Sequence, residues 1–137
     1  MNSVDFNDKS FQQSDMYKEF ISVNSSSGKL TIRAYAANKA LPIEGMKIIV
    51  YKIMNNTRVI FYEGNTDNSG LIENISLPTP SVSNDDLITP PSQDYSIEAI
   101  YDMQDLLFNI KMYSNISVNQ NINVVPNLRT DGNSYGY

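Results

Sequence analysis

Residues 28–34 have the sequence Gly-Lys-Leu-Thr-Ile-Arg-Ala, and residues 46–50 have the sequence Met-Lys-Ile-Ile-Val. In both stretches an apolar side chain returns at every second position, which is the spacing of a β-strand with one buried face. The apolar sides consist of Leu30, Ile32 and Ala34 in the first stretch, and of Met46, Ile48 and Val50 in the second. The two stretches therefore predict strands that share one core.

The same alternation continues along the chain, between short segments that favour turns. It recurs in residues 59–61, 71–77, 95–101, 106–112 and 116–124. Asn, Asp, Ser and Gly residues separate these segments, and such residues accept the backbone angles of tight turns. We predict an all-β protein, a single antiparallel sandwich of seven strands.

The ends of the chain differ from this central domain. We assign residues 1–27 to an N-terminal arm, residues 28–127 to the sandwich and residues 128–137 to a flexible C-terminal tail. The apolar residues of the arm are spaced to line one side of a short helix, with Ser10 and Gln13 placed like a capping box. The same residues in an extended conformation would add a strand to a sheet edge, so both structures stay open.

The composition excludes several classes of function. The chain has no His, Cys or Trp, and its formal net charge is −5. Without His and Cys it lacks disulfides, thiolate nucleophiles, the common zinc ligands and the commonest general base. Nucleic acid and anionic membranes need a basic surface that this chain does not offer. We expect no enzyme activity, no cofactor, no metal, no nucleic-acid partner and no membrane insertion.

Several motifs resemble the carboxypeptidase regulatory-like family of prealbumin-like (transthyretin-like) β-sandwiches. They are Leu-Pro-Ile-Glu-Gly at residues 41–45, Thr-Asp-Asn-Ser-Gly at 66–70, Leu-Pro-Thr-Pro at 77–80 and Tyr-Ser-Ile-Glu-Ala at 95–99. Met46 stands where the family usually has Ala. The resemblance covers about residues 28–127 and includes modules in proteins of Gram-positive spore formers and their phages. It implies a non-catalytic accessory or assembly domain.

Two candidate chemical sites have weaker support. Residues 65–70 resemble the start of a calcium loop, but Ser76 stands where the twelfth position requires a bidentate Glu. We therefore interpret them as a polar turn in which Gly70 supplies a positive φ. Lys29 or Lys47, Glu98 and Asn119 or Asn121 supply the residue types of an intramolecular isopeptide bond. All of them occupy the polar side of their strands, so we do not expect that bond.

An excess of apolar residues on outward faces predicts a protein interface. The arm either folds back over this surface or completes a neighbour's sheet. The candidate interface residues are Phe11, Met16, Tyr17, Phe20 and Ile21 of the arm, Ile49, Tyr51, Ile53, Ile60 and Tyr62 of the sheet, and Tyr135 and Tyr137 of the tail.

From these features we predict a structural or adaptor subunit of a larger assembly. A phage tail or phage-tail-like particle is the favoured setting, and a spore-surface or extracellular filament subunit is the alternative. A cell-wall glycan-binding module is the third hypothesis. The expected partners are other protein subunits, including copies of the same chain. We expect synthesis in the cytoplasm without a signal peptide, and action in a particle or on a spore or cell surface.

Overall fold

A computed structural model describes residues 1–37, 40–83 and 88–125 of the chain. Within these ranges the elements follow in the order β1 Asn2–Asp5, α1 Lys9–Gln12, α2 Asp15–Val23, β2 Ser26–Ala36, β3 Leu41–Pro42, β4 Lys47–Met54, β5 Thr57–Asn65, β6 Leu71–Thr79, β7 Ser92–Tyr101, β8 Gln104–Tyr113 and β9 Ser117–Val124. Neither helix of this described part has the length and apolar character needed to cross a membrane.

The strands form two sheets that pack face to face. The first sheet has five strands in the order β1-β5-β4-β7-β8. The second is centred on β2, which pairs antiparallel with β3 and β6 and parallel with β9. Pairing in the first sheet is antiparallel except between β1 and β5. The predicted sandwich is confirmed, with two short extra strands and two parallel pairs.

The predicted apolar sides form the core between the sheets. Every member of the two sets that alternate in residues 30–34 and 46–50 is 0% exposed. Sheet faces pack about 10 Å apart, so each inward side chain contacts the opposite sheet directly. The alternation therefore marks the core correctly wherever the strand is regular.

The arm contains β1, α1 and α2 and folds onto its own chain. α2 begins after Ser14, whose Oγ accepts a hydrogen bond from the backbone N–H of Tyr17 at 3.2 Å. The predicted helix is confirmed, but Ser14 caps it rather than Ser10. The side chains of Phe6, Phe11 and Phe20 belong to the same core cluster as the strands. The boundary predicted at residue 28, between the arm and the sandwich, lies inside β2, because this strand begins at Ser26.

The connections follow the turn chemistry of the sequence. Asn55 and Asn56 have φ angles of 48° and 59° and join β4 to β5 as a two-residue hairpin turn. The segments that the alternation marks at residues 71–77 and 95–101 are longer in the structure, since β6 extends to Thr79 and β7 begins at Ser92 with a loop between them. Residues 84–87 of this loop lie outside the described residues.

Candidate functional site

The outer face of the five-stranded sheet carries a network of charged and aromatic side chains. The Arg58 guanidinium lies 4.2 Å from the centre of the Tyr51 ring and 2.5 Å from the Glu98 carboxylate. This hydrogen bond holds the pKa of Glu98 below its usual value, and a hydrogen bond to Glu98 raises the pKa of Asp105. Ile49 lies opposite Glu98 and Glu63 on this face and is only 7% exposed.

The residues of β4 and β5 that the sequence predicts to point outward differ in their exposure and direction. Ile53 is 50% exposed, and Ile60 is half-buried opposite Tyr51. Tyr62 was predicted to point outward, but it lies opposite Val50 and packs against the core. β5 has a bulge at Phe61, and this extra residue turns Tyr62 to the face opposite to the one that the alternation predicts. The use of Ile53 and Ile60 in a partner interface stays a prediction.

The arm residues of the candidate interface lie against their own chain. Phe11 and Phe20 are each 8% exposed, and Met16, Tyr17 and Ile21 are half-buried against the same core. The arm folds back on its own chain, as one of the two expected arrangements has it, but it packs against the core cluster and leaves Ile53 of the outward surface 50% exposed. Tyr135 and Tyr137 lie outside the described residues.

The residues of the two weaker motifs have structural roles or lie apart. The Asp67 carboxylate accepts hydrogen bonds from the backbone N–H groups of Ser69 at 2.9 Å and Leu71 at 3.0 Å. It therefore holds the turn that the sequence predicts. Lys29 lies on the outer face of the second sheet, as do Asn119 and Asn121, whereas Glu98 lies on the outer face of the first. The core separates these groups, so Glu98 is not placed between them as an isopeptide bond requires.

A cleft opens where β4 and β7 separate. Their pairing ends at Tyr51 and Ser96, while β7 continues beside β8 as far as Ser92. The cleft encloses about 430 Å³ and is lined by Lys52, Ile53, Asp94, Tyr95, Ser96, Asn109, Ile110 and Lys111. Because backbone pairing stops at this point, side chains of three strands converge on a space that none of the strands in the described part of the chain fills.

Lys52 projects into the space between the two separated strands. Its Nζ lies 5.1 Å from the centre of the Tyr95 ring and donates a hydrogen bond to the main-chain oxygen of Asp94. Burial lowers the pKa of the Lys52 amine, and the Asp94 charge partly offsets that effect. The ammonium group therefore has lost part of its hydration, and an aromatic face and a carbonyl group replace only some of it.

The opposite wall of the cleft carries a second cation. The Lys111 ammonium lies 3.0 Å from Asp94 Oδ1, and this hydrogen bond raises the pKa of Lys111. The Ser96 hydroxyl donates a hydrogen bond to Asn109 Oδ1 at 3.2 Å. The oxygen of the Asn109 amide is therefore engaged, and its N–H groups point in another direction. Two ammonium groups and an amide thus border one cavity, with a single carboxylate between the cations. This arrangement can hold an anion.

Sequence reasoning missed this site. Lys52 continues the series Ile48, Val50 and so occupies a position that the alternation assigns to the core. A cation at an inward position was the one available signal. The separation of β4 from β7 could not be inferred from either strand alone.

The fold is that of a transthyretin-like β-sandwich. The 5-hydroxyisourate hydrolase of Klebsiella pneumoniae matches with a TM-score of 0.51 and 12% identity, over 73% of this chain and 91% of the hydrolase chain. Transthyretin from Sparus aurata matches with a TM-score of 0.38 and 16% identity, over 59% and 74% of the two chains. No family model and no curated protein matched. At such low identity the likeness concerns the fold alone.

This comparison corrects the functional prediction made from the sequence. A structural or adaptor subunit of a phage tail, with a spore or filament subunit and a glycan-binding module as alternatives, was expected. A solved structure of similar fold is a hydrolase, and none of the comparisons supports an assembly subunit, so that prediction is wrong. Proteins with this fold include enzymes and proteins that are not enzymes. The chemistry of the site is therefore needed to distinguish catalysis from binding.

Proposed function

We propose that this protein is a non-catalytic binding domain that holds an anionic ligand, most simply a carboxylate, in the cleft between β4 and β7. The observation that carries the proposal is the half-buried Lys52 ammonium facing a cavity of about 430 Å³. A cation with reduced hydration gains from a charge-assisted hydrogen bond with an anion, and such bonds are about twice as strong as neutral ones.

The charge around the cleft supports an anion rather than a cation. Lys52 and Lys111 approach it from β4 and β8, and among the described residues of its lining Asp94 is the single acidic one. The chain as a whole has a formal net charge of −5, so the cleft is a positive site on an acidic protein. A carboxylate between the two ammonium groups would accept hydrogen bonds from both sides.

The chemistry of the lining supports binding rather than catalysis. The chain has no His and no Cys, which excludes the commonest general base and the thiolate nucleophile. The Tyr95 hydroxyl donates to the Pro78 main-chain oxygen at 2.6 Å, and burial raises the pKa of its phenol. Asp94 is paired with Lys111. The lining therefore supplies hydrogen-bond donors but no activated nucleophile with its own base.

A titration with succinate, acetate and inorganic phosphate tests the proposal. Backbone amide signals of residues 94–96 and 109–111 should shift on binding, and Lys52→Met should weaken the affinity by about tenfold or more. Lys47→Met is the matched control, because Lys47 lies on the same strand, pairs with Glu63 at 3.1 Å and does not line the cleft.

Three results would overturn the proposal. The first is an absence of shifts in the wild type at tens of millimolar of all three anions, and the second is equal affinity in Lys52→Met. The third is turnover of 5-hydroxyisourate, the compound that the hydrolase of similar fold is named after, if that turnover is lost in Lys52→Met. That result would make the cleft an active site instead.

A further inference from the structure

The lysines of the five-stranded sheet differ in their partners. Lys47 pairs with Glu63 at 3.1 Å, and Lys111 pairs with Asp94 at 3.0 Å. Lys52 has no carboxylate at ion-pair distance among the described residues, and its ammonium group contacts a main-chain oxygen and the face of an aromatic ring instead. A nearby negative charge favours the charged form of an amine, so Lys52 is the lysine of this sheet that loses its proton most readily.

The two lysines that line the cleft are suited to different roles. Burial lowers the pKa of Lys52, whereas the hydrogen bond to Asp94 raises the pKa of Lys111. Groups of one site whose pKa values move in opposite directions take different parts in proton chemistry. Lys111 stays an ammonium group that attracts anions. Lys52 supplies the larger fraction of neutral amine, which is the nucleophilic form of a lysine.

Both lysines reach the same residue of β7. Lys52 donates a hydrogen bond to the main-chain oxygen of Asp94, and Lys111 donates one to Asp94 Oδ1. A ligand that joins the two nitrogen atoms is therefore short, with its carboxylate close to a carbon that an amine can attack. In a 2-oxo acid the carboxylate and the oxo carbon are directly bonded. The cavity of about 430 Å³ leaves space for the rest of such a molecule.

We propose that Lys52 binds 2-oxo acids by forming an imine with the oxo carbon while Lys111 holds the carboxylate. This inference rests on the function proposed above and names the chemical class of the anion. Lysine amines form imines with carbonyl compounds, and they do so most readily where apolar surroundings or a neighbouring cation favour the neutral amine. The cleft gives Lys52 both conditions, the face of the Tyr95 ring and a second lysine across the cavity.

The reaction needs no oxidant and no reactant besides the 2-oxo acid. The ammonium group of Lys52 first loses a proton to the solvent in the cleft. The nitrogen lone pair then forms a bond to the oxo carbon, and the oxo oxygen takes up the proton that the nitrogen releases. Return of the first proton lets this hydroxyl group leave as water, and the nitrogen becomes a protonated imine. One C=N bond has replaced one C=O bond, and hydrolysis releases the ligand unchanged, as binding without turnover requires.

Reductive trapping in the full-length protein tests the proposal. Sodium cyanoborohydride delivers hydride to the imine carbon and makes the new bond permanent, so digestion and mass spectrometry locate the adduct. With pyruvate as the probe we expect Lys52 to be labelled at least about tenfold faster than Lys29, because each unit by which the pKa falls raises the fraction of neutral amine about tenfold. Lys29 is the internal reference, since it is exposed on the outer face of the second sheet.

Methyl pyruvate tests the role of Lys111, because it carries the same oxo group without a negative charge. The ratio of labelling at Lys52 to labelling at Lys29 should be several-fold higher with pyruvate than with methyl pyruvate. Lys111→Met should abolish this preference, and comparing two probes at the same amine cancels any change in the reactivity of Lys52. Lys47→Met is the matched control and should keep the preference, since Lys47 does not line the cleft. Circular dichroism verifies the fold of each variant.

Lys52→Arg separates a failure of this inference from a failure of the proposed function. Arginine keeps a cation at this position but does not form the imine, so succinate should still shift the amide signals of residues 94–96 while no adduct forms at residue 52. Succinate shifts in the wild type without faster labelling of Lys52 by pyruvate would overturn the imine and leave the anion site in place. So would labelling of Lys52 that shows no preference for pyruvate over methyl pyruvate. An absence of both succinate shifts and faster labelling would overturn both proposals.

Discussion

Tyr95 is the residue at which core packing and the candidate site meet. It is 1% exposed, and its ring lies edge-on to Phe61 with a centroid separation of 5.0 Å. Its hydroxyl donates to the Pro78 main-chain oxygen, so one hydrogen bond joins β7 to β6 across the sandwich. Lys52 lies over the ring, so the same side chain forms the floor of the cleft. Changes at Tyr95 should therefore affect both stability and the position of Lys52.

Replacing Tyr95 with Phe should change how stability depends on pH. At pH 8 we expect the variant to be less stable by about 1 kcal/mol, because the Pro78 carbonyl loses its partner. Burial raises the pKa of Tyr95 in the folded state above its ordinary value of 10.0. The tyrosine therefore stabilises the fold fully below pH 10, and that contribution is lost as the pH rises above 10 and the unfolded chain ionises.

Urea unfolding of the wild type and Tyr95→Phe between pH 8 and pH 11 measures this dependence. Above pH 10 the stability advantage of the wild type should shrink by up to about 1.4 kcal/mol per pH unit. Both proteins share every other titrating group, so the difference between them isolates Tyr95. Parallel curves over the whole range would show that the phenol ionises equally in both states.

At the scale of an element, the turn between β5 and β6 shows how a local sequence determines a connection. The Asp67 carboxylate accepts two backbone hydrogen bonds and so fixes the direction in which the chain returns. Thr66 is 3% exposed, donates to the Ile43 oxygen at 2.6 Å and accepts from the Met46 N–H at 3.0 Å. The turn thus anchors the segment before β4 as well as joining its own strands.

Gly70 closes this turn, and its replacement by Ala should cost about 2–4 kcal/mol of stability. Gly70 has a φ of 76°, which costs an L-residue about 1–2 kcal/mol. A methyl group there would also overlap the main-chain oxygen of Ala34 on β2. Since both groups are backbone, the sheet would have to shift to relieve the contact.

Gly45→Ala separates these two effects. Gly45 has a similar φ of 84°, but an added methyl group would meet no atom within 4 Å. We expect Gly45→Ala to cost only about 1–2 kcal/mol in urea unfolding. Equal losses in the two variants would show that the close approach to Ala34 contributes nothing.

At the scale of the whole molecule, the arm and the sandwich share one core. Phe6 follows β1 and stacks on Phe61 of β5 with ring centroids 4.4 Å apart. Its ring also contacts Phe11 and Phe20 at centroid distances of 6.1 Å and 5.9 Å. Phe6 therefore joins the helical arm to the five-stranded sheet, and we expect the two parts to unfold together.

Replacing Phe6 with Ala should lower the free energy of unfolding by about 3–5 kcal/mol, the usual cost of removing a buried aromatic ring. Fluorescence and circular dichroism should report the same midpoint, since arm and sandwich form one unit. Val23→Ala is the control, because Val23 belongs to the same arm but is 66% exposed. A loss below about 1 kcal/mol in Phe6→Ala, or two separate transitions, would contradict a shared core.

The candidate site shows where prediction from single strands stops. The alternation in residues 30–34 correctly marked inward side chains, because a regular strand turns successive residues to opposite faces. The alternation gave the wrong face for Tyr62, because a bulge depends on the partner strand as well as on β5. Ile49 is outward by alternation yet buried by a network that unites side chains from three strands. Lys52 became part of a site only because β4 leaves β7 after Tyr51.

The amino-acid sequence by itself determined the seven main strands, the turns between them and the inward faces wherever a strand is regular, because hydrophobic period and turn chemistry act over a few neighbouring residues. The tertiary structure alone decided the strand order, the parallel pairs β1–β5 and β2–β9, and the docking of the arm on its own core. It also decided the cleft and the different partners of Lys52 and Lys111. These features depend on contacts between residues far apart in the chain, and no local pattern encodes which strands become neighbours.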